Sequence, residues 1–122
     1  MYKFEKLRVW QSAMDLVVEV YKFTKQLPKE ETYGLRDQIR RASVSIALNI
    51  AEGTGDKSDK ELIRYLYLSK KSLFETITGL KLTQRIYQLK PEQILKNCDN
   101  LGRSLQALIN SLSKSQKLKT ND

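Results

Sequence analysis

Residues 38–53 read QIRRASVSIALNIAEG, a stretch with the composition of a helix that is apolar on two sides. At about 100° per residue, Leu35, Ile39, Ala42, Ile46 and Ile50 form one stripe, and Val44, Ala47, Leu48 and Ala51 form a second on nearly the opposite side. A surface helix carries one apolar stripe; a helix with two is buried on two sides. One stripe faces the chain's own core, and the other needs a partner. In a chain of 122 residues the simplest partner is a second copy. Arg41, Val44, Ala47, Leu48 and Ala51 are therefore predicted to form an oligomer interface. Between the two stripes run Gln38, Ser45, Asn49 and Glu52, predicted to be a buried polar stripe that sets helix register through hydrogen bonds. The alternative is a ligand-binding or catalytic site with Glu52 as acid or base. No second carboxylate or nucleophile shares the stripe, which favours the structural role.

On either side of this segment the apolar spacing predicts three more helices. The first spans about residues 6–27. Leu7, Trp10, Met14, Val17 and Tyr21 alternate at three and four, and a second row, Val9, Ala13, Leu16, Val20, Phe23 and Leu27, lies roughly 120° around. The two rows merge into one wide face, so this helix is expected to be heavily buried, with Trp10 and Tyr21 in the core. Pro28 breaks it. The second helix spans about residues 30–52, with an irregular first turn at Gly34 and a stop at Gly53 and Gly55. Ser58 and Glu61 have the spacing of a capping box, which opens a third helix over residues 58–88 with the core stripe Leu62, Leu66, Ser69, Leu73, Ile77, Leu80 and Tyr87. Pro91 suits a first helical turn, and the fourth helix, residues 91–115, carries Ile94, Cys98, Leu101, Leu105, Leu108 and Leu112. Residues 116–122 are expected to fray. Four helices with short connections and no strand alternation predict a single all-α domain, an antiparallel up-and-down four-helix bundle.

Composition excludes several chemistries. There is no histidine, so the commonest general base is missing, and Cys98 is the only cysteine. A disulfide within the chain is ruled out, and zinc lacks a soft ligand pair. No glycine-rich loop precedes a helix to hold phosphate. No enzyme activity, metal or cofactor is expected. No apolar run approaches the roughly 18 residues of a membrane span, and MYKFEKLRVW has no apolar segment of a signal peptide. A cytoplasmic protein with no membrane role is expected.

Charge points to a partner. Residues 1–61 hold 11 Lys/Arg and 10 Asp/Glu, net +1; residues 62–122 hold 11 and 4, net +7. A basic excess of this kind favours polyanions. On a wheel of the third helix with Arg64 at 0°, Lys71, Lys60, Arg85, Lys81 and Lys70 fall between about −20° and −120°, and Tyr67 and Phe74 lie within the same arc. The arc itself holds no acid. Basic residues interleaved with aromatics bind phosphates by charge and bases by stacking; the plainer alternative is a solvated helix face. Nothing in the arc reads base edges, so binding would be independent of sequence. On the second helix Arg36 and Arg40 share a face and either extend the basic surface or, with Arg41, pair with Glu30, Glu31, Asp37 or a neighbouring subunit; for Arg41 the structural role is favoured.

Taken together these residues resemble a known family. Phe4-Glu5-Lys6-Leu7 with Val9-Trp10, Pro28 through Tyr33-Gly34-Leu35, Gln38 with Arg40-Arg41-Ala42, Ser45-Ile46, Asn49-Ile50-Ala51-Glu52-Gly53, and Ser72-Leu73 with Glu75 are similar to the four-helix-bundle proteins encoded by intervening sequences in bacterial 23S ribosomal RNA genes, also called S23-like. The resemblance covers about residues 4–112. It implies a bundle that assembles as a homo-oligomeric ring, a homopentamer. It also implies kinship with the accessory variability determinant of diversity-generating retroelements, which acts with a reverse transcriptase and binds nucleic acid through a basic surface. The family's third-helix motif carries a small residue where this chain has Lys71, a departure that adds positive charge. The expected partners are thus a second copy, RNA or DNA, and a reverse transcriptase or other protein. The alternative function is an oligomeric scaffold for a protein partner with no nucleic-acid role.

Overall fold

The computed structural model describes residues 1–55 and 58–120, with side chains through Leu118. Four α-helices and no strand occur among the described residues: α1 (Arg8–Thr24), α2 (Leu35–Thr54), α3 (Asp59–Tyr87) and α4 (Glu92–Thr120). A 3-10 turn at Lys3–Lys6 precedes α1, and another at Lys29–Glu31 precedes α2. Gly34, where an irregular first turn is expected, is the N-cap of α2, which starts at Leu35 rather than near residue 30. There the Glu31 carboxylate reaches forward and accepts from the Leu35 amide at 3.0 Å, satisfying one of the free donors at the start of α2. Ser58 Oγ accepts from the Glu61 amide at 3.1 Å, so the N-cap predicted for the third helix is in place. Gln88 closes α3 in a left-handed conformation (φ 58°). The fourth helix continues to Thr120, past the end expected near residue 115.

Each helix packs on its neighbours in sequence and α4 returns to α1, while the diagonal pairs stay apart. Cross-helix hydrogen bonds run antiparallel. Ser69 Oγ donates to the Ile46 carbonyl, Lys70 bonds Gln106, and Asn97 donates to both Glu19 carboxylate oxygens at 2.9 and 2.8 Å. The core comprises Val9, Ala13, Leu16 and Val20 of α1, Ile39, Ile46 and Ile50 of α2, Leu66, Leu73 and Leu80 of α3, and Ile94, Cys98, Leu101, Leu105 and Ile109 of α4. Each large apolar side chain buried there contributes about 1.5–3 kcal/mol. On α4 the stripe turns late, so that Ile109 is buried where Leu108 and Leu112 are half-buried.

Two expectations for α1 need correction. The core row is Val9, Ala13, Leu16, Val20, Phe23 and Leu27, whereas the three-four seam lies to its side. Tyr21 and Met14 are each 41% exposed, and Trp10 is half-buried beneath Phe4, with ring centroids 5.2 Å apart. The reason is geometric: a corner helix of a square bundle buries only the arc facing the axis and its two neighbours. Two rows roughly 120° apart do not fit inside that arc.

The α2–α3 pair is the closest in the bundle, for a reason that hydrophobicity does not report. Ser69, Ser72, Thr76, Gly79 and Thr83, all buried, line the α3 side of the contact. A Cβ on Gly79 would fall 2.5 Å from Ile39 Cγ1, and one on Gly53 would fall 2.8 Å from Tyr65 Cβ. Small residues let the backbones approach, and their hydroxyls bond to carbonyls or to one another (Ser72 Oγ to Ser45 Oγ, 2.9 Å; Thr76 Oγ1 to the Ser72 carbonyl, 2.9 Å). Lys71 is exposed beside this seam.

Candidate nucleic-acid interface

With its core stripe turned inward, α3 presents to solvent Lys60, Arg64, Tyr67, Lys71, Phe74, Lys81 and Arg85, all exposed. The arc drawn from the sequence is therefore one surface, with two qualifications. Arg64 is engaged by Glu61, its Nη2 lying 3.0 Å from Oε2, and it stacks on Tyr65 at 4.5 Å. The hydrogen bonds that Arg64 donates to the Glu61 carboxylate raise the Arg64 pKa above its ordinary value. Lys70 is half-buried and spans toward α4, where its ammonium donates to Gln106 Oε1. The same ammonium lies 6.0 Å from the Tyr67 ring centroid and 5.8 Å from that of Phe74. Among the described residues, Lys60, Lys71, Lys81 and Arg85 have no ion-pair partner.

Sequence reasoning missed the apolar part of this face. Leu82 and Ile86 are 39% and 52% exposed, and Glu75 is exposed about 20° beyond the edge of the basic arc. Lys71, Phe74, Glu75, Thr78 and Leu82 form one wall of a groove of about 460 Å³ against Leu35 and Gln38 of α2. Their spacing held the signal, since Leu82 and Ile86 fall outside the α3 core stripe.

The arginines of α2 do something else. Arg36 donates to the Thr24 carbonyl (3.2 Å) and the Leu27 carbonyl (2.7 Å). Arg40 donates to Thr24 Oγ1 (2.9 Å) and the Tyr21 carbonyl (3.1 Å), and lies 4.5 Å over the Tyr21 ring. The last carbonyls of α1 lack partners within the helix and carry its negative dipole end, which is where guanidinium groups are favoured. Arg36 and Arg40 are thus a clasp on the end of α1, and neither extends the basic surface. Neither pairs with a carboxylate among the described residues. Arg41 is the one that does, bonding Asp37 at 3.0 Å in a largely exposed pair.

Elsewhere on α2, Leu48 is 60% exposed and Val44 and Ala51 are half-buried, so this part of the outer stripe does face outward. Ala47 does not: it is 7% exposed and belongs to the core. Tyr21 joins Val44 and Leu48 around a shallow groove. Within the single chain the polar stripe is not buried. Gln38 and Glu52 are exposed, and Ser45 and Asn49 are half-buried and bonded to each other at 3.1 Å. The stripe lies on the outer flank of the α2–α3 seam, where Ser45 bonds Ser72 of α3 and Gln38 faces α3 across the groove.

Among the described residues no group of three or more His, Cys, Asp or Glu is placed to hold a metal ion. Among the same residues no helix is long and apolar enough to cross a membrane. Burial pushes the Cys98 thiol up to about 12, with Asp99 and Glu19 adding to the effect. Glu31, held by the Leu35 amide and the Tyr87 hydroxyl, has a pKa below the ordinary carboxylate value, and the same hydrogen bond raises that of Tyr87.

No curated protein matches this chain. Among solved structures it is similar to a crystal structure of a protein of unknown function from the S23 ribosomal protein family of Bacteroides thetaiotaomicron. The TM-score is 0.72 at 25% identity, over 83% of this chain and 97% of that one. The model of the family described as 23S rRNA-intervening sequence protein matches residues 5–111. With four helices in this order and the family's sequence pattern along nearly its whole length, the chain belongs to the 23S rRNA-intervening sequence protein family.

Proposed function

We propose that this chain is a cytoplasmic, non-catalytic, homo-oligomeric bundle, a pentameric ring as the family resemblance implies, that binds nucleic acid without sequence selectivity through the solvent face of α3. The observation that carries the reading is the run of exposed cations Lys60, Arg64, Lys71, Lys81 and Arg85 along one helix face, interleaved with exposed Tyr67 and Phe74. Charge along a rigid rod gives affinity for a phosphate backbone, and without groups aimed at base edges it gives little sequence discrimination. Arg36 and Arg40 are left out because their guanidinium groups are committed to α1. Support for assembly comes from the exposed Leu48 beside Val44 and Tyr21.

The test is fluorescence anisotropy with labelled RNA and DNA across a salt series. Binding should weaken linearly in log–log form, and reversing Lys60, Arg64 and Lys71 to Glu should abolish it while native mass is unchanged. No binding at low salt, or affinity that ignores salt, refutes the reading.

A second reading rests on Leu82, Ile86 and Glu75, which interrupt the basic face with apolar and acidic surface. In it the oligomer is a scaffold for a protein partner such as a reverse transcriptase. A partner that co-purifies after nuclease treatment supports that alternative.

A further inference from the structure

We infer that the ligand of the α3 face is a single-stranded polynucleotide, and that Tyr67 and Phe74 are the platforms on which its bases stack. This rests on the nucleic-acid reading above and goes beyond it by naming the strand state and the groups that recognise it. Two exposed aromatic rings seven residues apart on one helix lie on the same face, about 10 Å apart along the axis. That distance corresponds to roughly three bases stacked about 3.4 Å apart. Both rings are more than half exposed, Tyr67 at 51% and Phe74 at 59%.

Their arrangement is held. The Lys70 ammonium sits near both rings, 6.0 and 5.8 Å from the centroids, and is tied to Gln106 of α4. Gln106 in turn donates to Asn110 Oδ1 at 2.9 Å. The cation is thus fixed on the inner side of the pair, leaving ring surface toward solvent and a positive charge close to any phosphate that bridges two stacked bases. Lys71, one residue on, is exposed beside the rings. Bases inside a duplex are already stacked on one another and do not reach a flat helix face; bases of a single strand do. Because every base has a π-face, such a site is sequence-tolerant, in keeping with the lack of base-edge readers. Stacking on a π-face does not distinguish ribose from deoxyribose, so RNA and DNA strands are expected to share the site.

The experiment separates stacking from charge. Labelled oligothymidylate and oligouridylate of roughly 12 nucleotides, within the usual site sizes, are compared by anisotropy with an abasic oligomer of equal length and charge. Wild-type protein should prefer both base-bearing strands to the abasic strand by about tenfold or more, since each stacked base is worth about fivefold at least. The Tyr67→Ala/Phe74→Ala variant should lose that preference while keeping its affinity for the abasic strand, and Tyr67→Phe/Phe74→Tyr should restore it. Equal affinity of the wild type for abasic and base-bearing strands overturns this inference alone. So does a changed native mass in the double alanine variant, which would assign the rings to subunit contacts. No binding of any probe at low salt overturns the nucleic-acid reading and this inference with it.

Discussion

Substituting Gly79 by alanine tests whether the α2–α3 contact is as close as described. In the middle of an exposed helix this exchange stabilises by about 1 kcal/mol, because glycine has the larger conformational freedom to lose. Here the new methyl would sit 2.5 Å from Ile39 Cγ1 and 3.3 Å from its Cδ1. Carbon atoms in contact prefer about 3.5–4.0 Å, so roughly 1 Å of relief is needed. Ile39 is 1% exposed and enclosed, and Cγ1 is not the mobile end of its side chain. Overpacking of this kind costs about 1–3 kcal/mol. Set against the propensity gain, the net expectation is a loss of about 1 kcal/mol, or about 3–6 °C in Tm for a domain of this size. The assay is urea unfolding followed by circular dichroism at one fixed protein concentration, since assembly makes the midpoint concentration-dependent. Two companions sharpen it. Gly102→Ala meets only the terminal Leu73 Cδ2 at 3.3 Å and should be neutral or stabilising. In an Ile39→Ala background the Gly79→Ala exchange should cease to destabilise, a coupling of about 1–3 kcal/mol. If Gly79→Ala raises the midpoint in the otherwise wild-type chain with an unchanged slope, the close approach of α2 and α3 is refuted.

Leu48→Glu should lower the native mass below the 71 kDa expected for five copies of 14.2 kDa while leaving helix content intact; an unchanged mass by light scattering removes the outer α2 stripe from the interface. Ala47→Glu is not its equivalent, since Ala47 is buried and a charge there should unfold the chain rather than separate copies. The Glu31–Tyr87 hydrogen bond should shape stability at both ends of the pH range. Glu31 has a lowered pKa, so its contribution is present above the ordinary carboxylate value and lost as pH falls through the folded one; Tyr87 has a raised pKa, so its contribution is present below the ordinary phenol value and lost as pH rises through the folded one. Glu31→Gln should flatten the acid limb of a Tm–pH curve and Tyr87→Phe the alkaline limb, and unchanged limbs argue against the bond. Cys98, buried with its pKa pushed to about 12, should resist a thiol reagent at pH 8 until the chain unfolds; rapid labelling of the native protein contradicts its burial.

The helices were legible because each signal was local. Pro28, Ser58 with Glu61, Pro91 and the apolar spacing set four segments within five residues of the observed bounds. What was not legible depended on neighbours in space. Periodicity shows that α1 has two apolar rows but not which one faces the axis, so Tyr21 was expected in the core and is found at the edge. Ser72, Thr76, Gly79 and Thr83 carry no hydrophobic signal, yet they form the tightest seam in the bundle. Arg36 and Arg40 look like free surface charge in a sequence; only the folded chain brings them to the end of α1. For the candidate site, the basic arc of α3 followed from wheel geometry alone. The position of Lys70 between two rings required α4 to supply Gln106.

The nested α2–α3 hairpin has a consequence for how the molecule opens. Regions of greatest packing density exchange their amide protons last and define the cooperative unit that survives partial opening. With the α2 and α3 backbones brought close by small buried residues, a seam that α1 does not share, the hairpin should outlast its flanking helices. The helix bearing the cations would then be the part of the fold that thermal fluctuation disturbs least, a firm rail rather than a yielding arm.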